Sequence, residues 1–169
     1  MIYDLSYYKP NAIHDRSFWI YTIVTIIALI IGWVYIAEGA DDNNYVWFKH
    51  NTDTISNIWL FNLTWLISNV ILLLVAYKIH VYKQSGVNIF LFSLILLVNL
   101  IWIGTLFNAK DDQITLYVLT FLFLILIWYG SMAYHIKKFY GIFIALYSLW
   151  ILYVYYLVAS IQSDDEYDI

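Results

Sequence analysis

The chain contains no cysteine among its 169 residues. Disulfides, thiolate zinc sites and thiol nucleophiles are therefore excluded. Charge is scarce as well: Asp, Glu, Lys and Arg make up 12% of the residues, against roughly 25% in a soluble domain. Hydrophobic residues make up 63% and aromatic residues 21%. A small water-facing protein of that composition would expose large apolar patches and aggregate. A bilayer removes the difficulty, because there the outside is as apolar as the inside. Nothing resembles the basic footprint of a nucleic-acid binder, so no nucleic-acid partner is expected. The first fifteen residues carry Asp4, Pro10 and Asp15 and lack an apolar core region. No cleavable signal peptide is expected, and the first helix serves as its own insertion signal.

What is present is a series of long apolar runs. A membrane-spanning helix needs about 20 mainly apolar residues. Five segments qualify, at about Phe18–Ala37, Ile58–Ile79, Val87–Phe107, Ile114–Ile136 and Phe139–Ile161. The fold expected is an all-α membrane protein, one domain of five transmembrane helices. Three of the links are short, which makes sequential helices antiparallel neighbours. The first link, 38–57, is longer and carries Tyr45, Trp47 and Phe48. Three aromatics suggest a loop that folds over the bundle or lies at headgroup level. The short tail 162–169 is acidic. Lys9, Arg16, Lys78, Lys83, Lys137 and Lys138 fall on one side of the membrane, and only Lys49 and Lys110 on the other. The positive-inside rule then places the N-terminus in the cytoplasm.

Polar residues inside spans are costly in lipid and mark the places to look for function. The second span has Asn62, Thr64, Ser68 and Asn69, with Trp59, Asn62, Leu66 and Asn69 read as one helix face and Trp65 beside it. The third has Asn99 and, one turn on, Trp102. The fifth carries Tyr147, Trp150 and Tyr153 or Val154. One reading is a pocket of indole and phenol rings oriented by one or two amides, since ligand pockets are mostly apolar with a few convergent polar groups. The other is structural: asparagines bridge helices at about 0.6 kcal/mol on average, and Trp and Tyr form interfacial belts. Asn62 and Asn69 fit helix bridging better. Trp19, Trp33 and Trp128 fit the belt better. Trp65, Asn99, Trp102 and Trp150 fit both equally. No span core holds the ionisable residue that pumps and proton-coupled transporters use. His14, His50, His80 and His135 lie outside the spans or at their ends, without the i, i+4 pairing of a metal site. Neither a metal nor any other cofactor is expected. No triad, phosphate loop or nucleophile elbow is visible.

The aromatic pattern resembles the TspO/MBR family, also called tryptophan-rich sensory protein or translocator protein. Trp59-Leu60-Phe61-Asn62-Leu63-Thr64-Trp65 is similar to that family's W-x-F-x-P-V-W. Val98-Asn99-Leu100-Ile101-Trp102, with Phe107 beyond, is similar to L-N-x-x-W-x-x-x-F-F. Leu146-Tyr147-Ser148-Leu149-Trp150-Ile151-Leu152-Tyr153-Val154 is similar to P-Y-x-x-W-x-x-F-A. The family's prolines in these helices are absent, Pro10 being the only proline, so straighter helices are expected. The basic sterol motif at the end of the last helix is absent too.

The resemblance implies binding of a porphyrin or sterol-like small molecule, within membrane lipid, with ligand contact at Trp65, Asn99 and Trp150 and with Trp102 and Phe107 nearby; the aromatic pattern adds Tyr147 and Tyr153, and Tyr45, Trp47 or Phe48 is expected to help cover the pocket. It implies transport or breakdown of that ligand as further activities. Catalysis is implied only for Trp65 and Trp150, in light-dependent porphyrin degradation. Homodimers occur in that family, although no helix here shows G-x-x-x-G. The rival readings are a membrane assembly or scaffold protein without a small ligand, and a passive transporter, which the lack of a polar stripe beyond the second helix weakens.

Overall fold

The computed structural model describes residues 16–39, 58–83 and 86–165, with side chains over 16–37, 61–82 and 86–160. The described residues form five α-helices and no strand. They are α1 (Arg16–Gly39), α2 (Ile58–Lys83), α3 (Gly86–Gly104, continued by a π-helical turn Thr105–Ala109), α4 (Asp112–Ile136) and α5 (Lys138–Asp165). Each contains a stretch of 22 to 25 residues long and apolar enough to cross a membrane. The helical state follows from the solvent: lipid offers no hydrogen bonds, so the backbone must satisfy its own. Apolar side chains cover the helices all round instead of along one stripe, the pattern of a membrane span. On α1, Ile20, Ile27 and Trp33 face outwards while Tyr21, Ala28 and Ile36 are buried.

The helices pack in the ring order α1–α2–α5–α4–α3, with α3 closing on α1 and also touching α2. The closest pair is the α4–α5 hairpin, joined by the single extended residue Lys137. The Lys137 N–H donates to the Ala133 carbonyl at 3.0 Å, and the Tyr140 N–H to the Lys137 carbonyl at 2.9 Å. Glycine makes the approach possible. A Cβ on Gly141 would sit 2.5 Å from Tyr134 Cβ, and one on Gly130 would sit 3.2 Å from Ile144 Cγ2.

The departure from α geometry needs no proline. It occurs at 105–109, where Lys110 then takes a left-handed conformation (φ 52°) and ends the turn. The Asp111 side chain accepts from the Ile114 N–H at 2.8 Å and caps α4. The buried Thr115 hydroxyl donates to the Asp111 carbonyl at 2.6 Å. Its oxygen also lies 2.9 Å from the Thr105 hydroxyl, which ties α4 to the π turn.

Two buried asparagines of α3 organise the interior. Asn88 donates to the Tyr21 hydroxyl of α1 (3.1 Å) and the Ala76 carbonyl of α2 (2.9 Å), and accepts from the Tyr129 hydroxyl of α4 (2.8 Å). Four helices thus meet at one amide. Asn99 lies eleven residues, or about three turns, further on the same face, at the end of the bundle that carries the first loop.

Candidate functional site

On α2 the buried face is formed by Phe61, Trp65, Ser68, Asn69, Leu72 and Ala76. Of the residues read as one helix face, Asn69 is buried while Leu66 is 42% exposed. The bridging expected of Asn62 and Asn69 is not found. Asn69 donates to the Trp65 carbonyl of its own helix at 2.9 Å, and Asn62 Oδ1 is buried without a partner. Amides of α3 bridge the helices instead. Trp19, Trp33 and Trp128 are 48%, 66% and 59% exposed and face outwards, as a belt requires.

Trp47, with Tyr45 and Phe48, lies outside the described residues, as does the expected cover of the pocket. The other sequence candidates come together on α2, α3 with its π turn, and α5. Their hub is Phe61, part of the α2 motif but not itself expected as a ligand residue. Its ring packs against Trp102 (6.2 Å, 75°), Phe107 (6.3 Å, 72°) and Trp150 (5.2 Å, 58°). Edge-to-face contacts of this kind suit the ring quadrupoles. Trp150 in turn leans on Tyr153 at 5.5 Å and 36°. Phe107 reaches the cluster from the π turn. Trp65 stands one turn beyond Phe61, with its indole edge on Gly32 of α1. A Cβ there would lie 2.6 Å from Trp65 Cη2. Gly32 and Phe61 carry no polar or charged signal, so only their contacts reveal them.

Within the cluster the polar groups divide into two sets. Asn99 Oδ1 accepts from Trp102 Nε1 at 3.1 Å and from the Tyr147 hydroxyl at 2.7 Å, and its Nδ2 donates to the Ile95 carbonyl at 3.0 Å. Both acceptor positions of that amide are occupied by the protein, so Asn99 joins α3 to α5. By contrast, Trp65 Nε1, Trp150 Nε1 and Asn62 Oδ1 are buried and have no hydrogen-bond partner among the described residues. A buried donor left unmatched costs about 1–3 kcal/mol. Two indole N–H groups and one amide oxygen are therefore left without a complementary group among the described residues. The described residues contain no cluster of metal-ligating side chains.

The family model for TspO/MBR matches residues 21–163, nearly the whole chain. The chain belongs to the TspO/MBR family. No curated protein and no solved structure matches it. With five helices able to span a bilayer, this TspO/MBR member is an integral, multi-pass membrane protein. The α2, α3 and α5 motifs that carry the resemblance are the segments that build the Phe61-centred cluster.

Proposed function

We propose that this TspO/MBR protein binds a flat, apolar ring ligand of the tetrapyrrole class between α2, α3 and α5, at the end of the bundle that carries the first loop. Family membership supports a membrane ligand-binding or transport role in general. The observation that supports the finer reading is the pair of buried, unpartnered indole N–H groups of Trp65 and Trp150. A tetrapyrrole brings both things these groups lack: a broad apolar face for ring stacking and ring-nitrogen and carboxylate acceptors for N–H donors. A sterol brings the apolar area and one hydroxyl, so it meets fewer of these needs. Burial of ring surface at about 25 cal/mol per Å² supplies the driving force, and the two N–H groups set the orientation. Trp150 and Tyr153, the latter 44% exposed, form the accessible edge of the cluster.

Titration of the detergent-solubilised protein with protoporphyrin, read by quenching of tryptophan fluorescence, tests the assignment. Saturable quenching above that of an unrelated membrane protein is expected. The double variant Trp65→Ala/Trp150→Ala should raise Kd at least about tenfold, equivalent to ~1.4 kcal/mol. Unchanged affinity removes the site from these helices. Quenching no stronger than the control removes the ligand class and leaves an assembly role, to be sought by partner capture.

A further inference from the structure

We propose that a second, smaller site at the opposite, basic end of the bundle holds one acyl chain of an anionic phospholipid, with the lipid phosphate at Arg16 and Lys78. The site is a cleft of about 120 Å³ between α1, α2 and α3, lined by Ser17, Tyr21, Val24, His80, Phe92 and Ser93, with Ile20 and Ile89 at its rim. Ile20, Val24 and Ile89 are each more than two-fifths exposed, so the cleft opens on the outer, lipid-facing surface.

Its size, polarity and charge select the occupant. An engineered apolar cavity of ~150 Å³ takes a single benzene ring, so a cleft of about 120 Å³ is too small for a tetrapyrrole or a sterol. A stretch of flexible chain fits. Along α1 the lining runs from Ser17 to Val24, about 10 Å at 1.5 Å per residue, from a hydroxyl at the helix end to apolar side chains deeper in. That gradient matches an amphiphile lying with its head at the membrane surface. The head end is basic. Arg16 adjoins Ser17, and Lys78 lies on the last turns of α2, two residues before His80. Lys78 Nζ sits 5.8 Å from the Tyr77 ring, which packs at 5.1 Å on Phe18. The ammonium thus lies near a ring that joins α2 to α1.

No Asp or Glu occurs in 16–24, 76–83, 86–93 or 130–140, the described segments at this end, and in the sequence Asp15 directly precedes Arg16. A juxtamembrane cluster of this sign attracts anionic headgroups. His80 adds a polar contact to the wall. Its Nδ1 is buried without a partner among the described residues. That buried ring nitrogen is open to a polar group of an occupant of the cleft.

The test is native mass spectrometry of the full chain after incubation with mixed micelles containing equal phosphatidylglycerol and phosphatidylcholine. One retained phosphatidylglycerol is expected, favoured over phosphatidylcholine by about fivefold for each basic group engaged. Ser93→Phe and Ile89→Phe, one turn apart on α3, each plug the cleft and should abolish that retention while leaving protoporphyrin quenching unchanged. Arg16→Gln should keep a lipid bound but narrow the headgroup preference. Equal retention of both lipids by the wild type, or wild-type retention by either plugged variant, overturns the proposal. Full headgroup preference in Arg16→Gln overturns the placement of the phosphate.

Discussion

The two ends of the bundle use a buried asparagine of α3 in different settings. At the basic end, Asn88 gathers Tyr21, Ala76 and Tyr129 from three other helices, and the α4–α5 hairpin closes beside it on glycine. At the end that carries the first loop, Asn99 binds Ile95 and Trp102 of its own helix and reaches one other helix, at Tyr147 of α5. Around it Asn62, Trp65 and Trp150 hold polar atoms with no partner. The basic end is a frame, apart from the small cleft at His80. The other end is unfinished in its hydrogen bonding. Polar groups in lipid that are matched fix helix positions, and those left unmatched are where the proposed ligand would complete the structure.

The comparison breaks most sharply at Gly141. Gly141→Val places a Cβ 2.5 Å from Tyr134 Cβ and forces α4 and α5 apart, with a cost of about 1–3 kcal/mol or more. Thermal unfolding in detergent should show a large fall in Tm, while the protein that remains folded keeps its protoporphyrin affinity. The next effect in size is at Asn88. Asn88→Leu strands the Tyr21 and Tyr129 hydroxyls and should cost about 1–2 kcal/mol, within the range of buried unmatched groups and of hydrogen bonds between membrane helices. Loss of stability without loss of ligand affinity is again the expected pattern.

At the other end the signs reverse. Trp150→Phe keeps an aromatic ring and deletes an unmatched donor. Stability should hold or rise by up to about 1 kcal/mol, while protoporphyrin affinity falls about three- to tenfold. The smallest effect belongs to the outward-facing Trp33. Trp33→Phe should leave stability within about 0.5 kcal/mol and ligand quenching unaltered in affinity.

Much of the fold is legible in the sequence, for a plain reason. Five apolar runs of spanning length, with charges only at their ends, leave no other way to satisfy the backbone in lipid. The ends are less legible: α2 continues to Lys83 and α5 to Asp165, because helices persist beyond the apolar stretch where chain and solvent permit. The π turn at 105–109 has no signal in residue type, yet it brings Phe107 to Phe61.

Periodicity puts Trp59, Asn62, Leu66 and Asn69 on one helix face but does not say how much of that face is covered, and Leu66 is 42% exposed. A strip of spacing three and four drifts around a helix, and the neighbours decide which edge is covered. Asn88 sits two residues inside α3, where a polar residue reads as interfacial. Only the packing of Tyr21, Ala76 and Tyr129 around it shows its depth. Asn99, Trp102, Tyr147 and Trp150 do converge, but their hydrogen bonds divide them into a structural amide with its donors and an indole left open. That division depends on three-dimensional partners and cannot be read from spacing.

The central claim is that the N–H groups of Trp65 and Trp150 await an acceptor. The most direct measurement is an NMR spectrum of protein labelled with ¹⁵N-tryptophan, in which the eight tryptophans give separate indole signals assigned by single Trp→Phe variants. On addition of protoporphyrin, the Trp65 and Trp150 indole protons should move downfield as hydrogen bonds form. Trp102, already bonded to Asn99, should gain no new hydrogen bond, and the outward-facing Trp19, Trp33 and Trp128 should hold their indole shifts. Perturbation confined to the outward-facing tryptophans, or none at saturating ligand, would contradict the account.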